Sequence, residues 1–423
     1  MGEDCGIVTF MKISSKDRDV LRRLIAEYAE AANHPCNAEK KALWRSLNGL
    51  KPQRPMVMID QICWNEFRHE KEFAWECEDP NGHGWEGWLR QTLYQWKHFP
   101  VDRVLEPFIN VGMAVRDTGF GVQGRGETAI QDPTNSVTGH HFYNVFETDA
   151  DLDKIKMPVI SHDTEETERR LEAAHDLCDG ILEVRLTGAD PSYISFWDPI
   201  SFWMSVDDAL YAIVDRPDYI HEMLRRMQKG YMSKLDQLES MRLLCGEQQT
   251  VHCTGAYTDA LPAPGYDPKA VRTKDIWCFG LAQMFSTVSP AMFDEFEVQY
   301  FSPIAARFGQ VYYGCCDPLD LKMNEVRKIP NVRKVSMSPW VDQERGATEI
   351  GGNYVYSRKP SPALLATDAF DEKRVRDDLT LTRDICRAHG CPLEFILKDI
   401  STVRYEPRRL ARWAEIATDV AQS

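Results

Sequence analysis

Val311-Tyr-Tyr-Gly-Cys-Cys-Asp-Pro-Leu-Asp320 is the stretch on which the reading of this chain turns. A short apolar run stops at Gly314, delivers two adjacent thiols, Cys315 and Cys316, and passes into a proline-initiated helix. The same rhythm recurs on both sides of it. Short buried runs occur at Arg54–Asp60, Arg103–Ile109, Ile181–Leu186, Gln249–His252, Asn331–Ser338, Tyr354–Tyr356 and Leu393–Leu397. Between them lie amphipathic stretches over 85–98, 165–177, 205–244 (broken at Arg216-Pro217), 290–307 and 371–388, where apolar residues recur at helical spacing. Eight strands alternating with helices predict an α/β protein of the (β/α)8 TIM-barrel type, in which reactive groups stand at the carboxyl ends of the strands.

Outward from that pattern, the spacing of Leu21, Leu24, Ile25 and Tyr28 predicts a helix over Ser15–Leu47, and residues 1–50 read as a helical extension of a barrel spanning 51–423. The glycine-rich stretch 112–147, with Asp132-Pro133 and the pair His140-His141, reads as a β-hairpin or lid inserted at one barrel end.

With 423 residues, 43 % hydrophobic and 27 % charged, the chain can bury a sizeable core, and no apolar run approaches the ~18 residues of a membrane span. A net charge of −15 excludes non-specific binding to nucleic acid or anionic lipid, both of which need a basic field. The acidic start Met1-Gly-Glu-Asp-Cys5 and the short apolar run Gly6–Met11 lack a secretory pattern, and Gly6 stands where a myristoylation signal has Ser or Thr. Twelve cysteines without framework spacing suit buried thiols in a reducing compartment. The expected location is the cytoplasm.

The candidate site residues follow from where each strand run ends. Cys315 and Cys316 leave the fifth run; His252 and Cys253 leave the fourth, its expected neighbour. Thiolate and imidazole are the donors zinc prefers, so these four form a candidate metal set, although buried cysteines are also ordinary apolar fillers. Lys398 and Asp399 leave the eighth run, where a catalytic pair or a rim ion pair would sit. Glu106 interrupts an apolar run, which implies either acid/base work or a salt bridge to an arginine such as Arg185. Arg358 and Lys359 at the end of the seventh run are candidate anchors for a carboxylate or phosphate. Trp197, Tyr257, Tyr312 and Trp340 lie near strand exits and are candidates for an aromatic substrate wall, with core packing as the plainer role. His140 on the lid is a candidate substrate contact.

At the last two strand ends, Tyr356-Ser-Arg-Lys-Pro-Ser-Pro-Ala-Leu-Leu365 and Phe395-Ile-Leu-Lys-Asp-Ile-Ser-Thr402 fall where the uroporphyrinogen decarboxylase superfamily carries its asparagine-leucine-aspartate-proline and glycine-histidine-glycine stretches. Val288-Ser-Pro-Ala-Met-Phe-Asp-Glu-Phe296 resembles that superfamily's segment before strand five. The resemblance runs from about Pro52 onward and implies a (β/α)8 barrel. The arginine-rich N-terminal motif with which true uroporphyrinogen decarboxylases grip their substrate is absent; Arg45 and Arg54 lack its context. The chain is more similar to the corrinoid-linked methyltransferase branch, where zinc is held by His-x-Cys on strand five and a Cys on strand eight. Here Tyr313-Gly314-Cys315 and Lys398-Asp399 occupy those positions.

That resemblance implies a methyltransferase moving a methyl group between a small methylated substrate, an ether, amine or thiol, and a corrinoid. The aspartate-x-histidine-x-x-glycine loop of a cobalamin module is absent, so the corrinoid would come on a separate protein. A second copy of the chain is a further expected partner. Two rival readings stand beside this one: a cofactor-independent decarboxylase, and a non-catalytic barrel that binds a small molecule.

Overall fold

The computed structural model describes residues 14–129 and 139–423. The extreme N-terminus and Asp132-Pro133 lie outside the described residues.

The strands are β1 (Met56–Ile59), β2 (Phe108–Gly112), β3 (Ala114–Asp117), β4 (Arg125–Ala129), β5 (Gly139–Tyr143), β6 (Ile160–Asp163), β7 (Glu183–Thr187), β8 (Tyr193–Ile194), β9 (Thr250–Val251), β10 (Thr254–Gly255), β11 (Trp277–Gly280), β12 (Gln310–Tyr313), β13 (Val332–Met337), β14 (Val355–Arg358) and β15 (Leu393–Leu397). Seven of them form one parallel sheet in the order β1-β15-β14-β13-β12-β11-β8. β2 and β7 pair in parallel as a separate ladder. Among the described residues the ladders do not close into the expected ring of eight.

Alternation along the strands divides the residues of the main sheet between two environments. Val57, Ile59, Val311, Tyr313, Val335, Met337, Tyr356, Phe395 and Leu397 belong to the large cluster shared with the surrounding helices. Met56, Met58, Val355 and Ile396 join Trp44 on the opposite face, as Trp277, Phe279 and Tyr312 join Val251 and Ala256. Burying each large apolar side chain is worth about 1.5–3 kcal/mol, and a slip of one residue would exchange the two sets, so the register is fixed by both faces at once.

Two expectations change here. The predicted helix Ser15–Leu47 is two helices, α1 (Ser15–Ala32) and α2 (Cys36–Asn48), because the chain turns at Asn33-His34-Pro35. The strand beside β12, expected at Gln249–His252, is Trp277–Gly280. Thr250–Val251 instead pairs antiparallel with Thr254–Gly255, forming a hairpin that fills the inner face. Thr254 bonds Glu394 there, and a Cβ on Gly255 would come within 2.5 Å of the Trp44 ring, so only glycine admits that contact. The hairpin and α2 together plug the amino end of the sheet.

The stretch 112–147 contains β3, which pairs with β6, and the antiparallel pair β4–β5. No helix among the described residues is long and apolar enough to cross a membrane.

Candidate active site

At the end of β12 the backbone turns through Gly314 at φ +93°, and a Cβ there would lie 2.4 Å from Leu319. Only glycine makes this turn, and it places Cys315 where its N–H donates to Asp317 Oδ1 (3.3 Å) and its carbonyl accepts from Ser336 Oγ (2.7 Å). Cys315 Sγ lies 3.5 Å from Cys316 Sγ. From β15, Lys398 Nζ reaches Cys315 Sγ at 3.4 Å and Asp399 Oδ2 at 2.7 Å, while Cys316 Sγ stands 3.8 Å from the same carboxylate oxygen. The thiols and the lysine-aspartate pair, 83 positions apart in sequence, therefore share one site at the carboxyl ends of β12 and β15.

The group is polarised. The hydrogen bond from Cys316 lowers the Cys315 thiol below its ordinary range, burial works against it, and Lys398 adds to the lowering. Cys316 is correspondingly pushed up, first by Cys315 and then by burial. Burial pulls the Lys398 ammonium down, but Cys315, Asp399, Cys253 and Cys316 together outweigh burial and hold it charged. The arrangement sets a buried thiol against an ammonium and so favours its thiolate, the form in which sulfur is nucleophilic.

Beneath lies a second tier. Lys359 Nζ donates to Tyr312 OH and to Ser357 Oγ (2.9 Å), and Tyr312 OH donates to Ser357 Oγ (2.8 Å). Burial lowers the Lys359 ammonium to about 8, with Glu394 opposing. The His252 ring stacks on Phe279 at 3.8 Å and meets Tyr312 edge-on at 5.0 Å. Burial first, then Lys398 and Lys359, keep this imidazole neutral by driving its pKa well down. Its Nε2 is buried without a hydrogen-bond partner. His252 and Cys253 form the tip of the hairpin at φ +40° and +65°, where turns of this kind favour Asn-Gly. Such conformations cost roughly 1–3 kcal/mol each and persist where the surroundings impose them. Below this tier, Lys334 Nζ bonds Glu394 Oε2 (2.7 Å), Thr254 Oγ1 (3.0 Å) and the Gly255 carbonyl (3.2 Å), fully enclosed.

The expected metal set does not assemble. Among the described residues no group of three or more His, Cys, Asp or Glu side chains is arranged to hold a metal ion. Cys315 and Cys316 supply two donors, and the Lys398 ammonium on Cys315 repels a divalent cation, so zinc does not fit His252, Cys253, Cys315 and Cys316 as they stand.

Several other expected residues lie elsewhere. Glu106 precedes β2 at the opposite, amino-end rim, where Lys41 Nζ (2.5 Å) and Tyr257 OH (2.8 Å) hold its carboxylate; Lys41, not Arg185, is its ion-pair partner. Tyr257 is thereby also removed from the site. Arg358 faces away from Lys359, bonding the Ser338 carbonyl at 2.8 Å and approaching Asp378 at 3.5 Å. Trp197 is enclosed in the outer core against Phe285. Trp340 is exposed beyond β13, and His140 is exposed on β5, beside Thr128 Oγ1 at 3.1 Å. Ser357, Lys334, Glu394 and Thr254 were not expected; Glu394 carried the same signal as Glu106, a carboxylate within an apolar run.

A cavity of about 430 Å³ opens at the amino-end rim beside Glu106, Arg185 and Tyr257. Its size suits a small ligand, but its charged walls are already matched, whereas the reactive groups converge at the other end.

No family model matches the chain, and no curated protein is detectably similar in sequence. A solved methyltransferase from Methanosarcina mazei superposes with a TM-score of 0.50 at 11 % identity, covering 90 % of this chain and 97 % of that one. The likeness is one of fold.

Proposed function

We propose that the chain is a methyltransferase on a (β/α)8 barrel, moving a methyl group between a small methylated substrate and a corrinoid carried by a separate partner protein. The β2–β7 ladder is the natural closure of the seven-stranded sheet. The Asp102 N–H, just before β2, donates to the Val57 carbonyl on β1 (2.8 Å), and β7 leads within a few residues into β8 at the sheet's other edge. The observation that carries the functional reading is the Lys398–Cys315 contact at 3.4 Å, on two strand ends that face one site.

In-line displacement at a methyl carbon leaves charge on the departing heteroatom. Lys398, held charged by Cys315 and Asp399, is placed to pair with that charge in a site shielded from water, where such pairing counts most. Asp399 and Cys316 orient the ammonium; Tyr312 and Phe279 form the apolar wall below it. A corrinoid bound at the rim supplies the methyl-accepting or methyl-donating centre. Leu321, Trp340 and Tyr405, 64 %, 74 % and 54 % exposed in the loops after β12, β13 and β15, offer that rim an apolar surface.

The test is spectral. The purified protein is mixed with cob(I)alamin and a panel of methyl ethers, methylamines and methyl thioethers. Formation of methylcobalamin with at least one of them, lost in Lys398→Met, is the expected result. No methylcobalamin with any class would overturn the reading, and carbon dioxide release from a carboxylate substrate would replace it with decarboxylation.

A further inference from the structure

Around Tyr312, one buried polar atom has no partner and two buried ammonium groups each have a donor to spare. Lys359 uses two of its three N–H donors, and both go to hydroxyls; no carboxylate bonds this enclosed ammonium. Lys398 likewise uses two of three, on Cys315 and Asp399. His252 Nε2 is buried and unbonded; its ring centroid lies 5.0 Å from that of Tyr312, Lys359 Nζ lies 4.9 Å from the same ring, and Cys315, which Lys398 bonds, packs in the same cluster as Tyr312 and Phe279. A neutral imidazole with its proton on Nε2 is a donor.

Elsewhere inside the sheet the same chemistry is completed. Lys334 has Glu394, and Arg54 grips Asp102 through two bonds of 2.6 and 2.9 Å. Burying an ammonium without a counter-charge is costly, and Lys359, unlike Lys334 and Arg54, has no carboxylate bonded to it. The hairpin pays for placing His252 there, because the tip adopts a left-handed backbone at two residues that do not favour it.

We propose that Lys359, His252 and Lys398 form an anion subsite that takes a single carboxylate, so that the methylated substrate is a small acid whose methyl group lies toward Cys315 and Lys398. The subsite stands on the geometry alone. The substrate class rests on the methyl-transfer reading. One carboxylate oxygen accepts from Lys359 and His252, the other from the remaining N–H of Lys398, giving Lys359 and His252 the charge-assisted bonds they now lack. Phe279 and Tyr312 close the apolar side, which limits the remainder of the molecule to a compact skeleton.

The experiment is calorimetric titration of the full chain, without any methyl acceptor, using acetate and methoxyacetate against the uncharged acetamide and methoxyacetamide. Saturable binding of the two acids and none of the amides is expected. Lys359→Met should weaken acid binding by about tenfold or more, the scale of one hydrogen bond to a charged group. His252→Phe keeps the stacked ring and should weaken it by a smaller factor. Circular dichroism establishes that each variant is folded, and Lys359→Arg, which keeps the charge, should retain measurable binding. Equal binding of acids and amides, no acid binding, or undiminished binding in folded Lys359→Met would overturn the proposal. Acid binding without transfer of the methoxy methyl to cob(I)alamin would leave the subsite standing and count against the methyl-transfer reading alone.

Discussion

The two ends of the strands treat buried charge in opposite ways. At the amino end Lys41 meets Glu106 and Arg54 meets Asp102, and deeper in the interior Lys334 meets Glu394. At the carboxyl end one ammonium is set against a thiol and a solvent-exposed carboxylate, a second against hydroxyls alone, and an imidazole has an Nε2 without a partner. Matched charges fix the architecture. Charges left open are what a site needs, since a reacting molecule can complete them. This contrast is the reason for taking the carboxyl end as the candidate site, although a cavity of about 430 Å³ lies at the other rim.

The sharpest way to break the contrast is Lys398→Met. Methyl transfer should fall by about 10²–10⁴-fold, the usual range for a positioned proton-handling group. Alkylation of Cys315 by iodoacetamide should slow at neutral pH, because the thiolate loses its ammonium. An unchanged alkylation profile would mean that the lysine does not govern the thiol.

Next in size is Lys334→Met, which strands Glu394 in the interior and should cost roughly 3–5 kcal/mol in urea unfolding. The double variant Lys334→Met/Glu394→Leu should recover most of that loss. If the single variant is as stable as the parent, the pair is not the lock described above.

A subtler difference separates Lys359 from those matched cations. Its pKa is about 8 in the fold against 10.5 when free, so between these values the unfolded chain binds more protons and stability rises with pH. Below about 8 the cost of enclosing the charge is fully felt. Lys359→Met should therefore be more stable than the parent at pH 7, with the difference vanishing above about 10.5, as measured by denaturation at a series of pH values. The smallest effect on turnover belongs to Glu106→Gln, which should unbalance Lys41 and cost about 1–3 kcal/mol of stability while leaving methyl transfer intact.

Much of the site was legible because strand ends are visible in sequence: Cys315, Cys316, Lys398, Asp399, Lys359, Tyr312 and His252 do converge. What failed was facing. Arg358 and Lys359 are adjacent, so one must point outward, and nothing before the register is known says which. Gln249–His252 and Trp277–Gly280 are both only four residues long, and of the two the apolar one is Trp277–Gly280; the two-residue reversal at His252-Cys253 gave no glycine or asparagine to mark it as a hairpin. Glu106 and Glu394 looked alike as carboxylates in apolar runs, and only their partners, one at the rim and one in the interior, tell them apart.

The plug has a bearing on how the chain reaches this state. Asn48 Nδ2 on α2 bonds the carbonyls of Gly255 (3.0 Å) and Tyr257 (2.7 Å), contacts spanning 207 and 209 positions, and Lys334 and Glu394 close over the same hairpin later still. During synthesis the Trp44 indole on α2 finds the Asp102 carbonyl 58 positions on, whereas the Asn48 amide must wait for the hairpin more than 200 positions later. Contacts of such long range slow folding and leave sticky surface exposed in the interval. Slower refolding from denaturant than in a barrel whose interior is filled by neighbouring strands is the expected consequence of building the floor from segments so far apart in the chain.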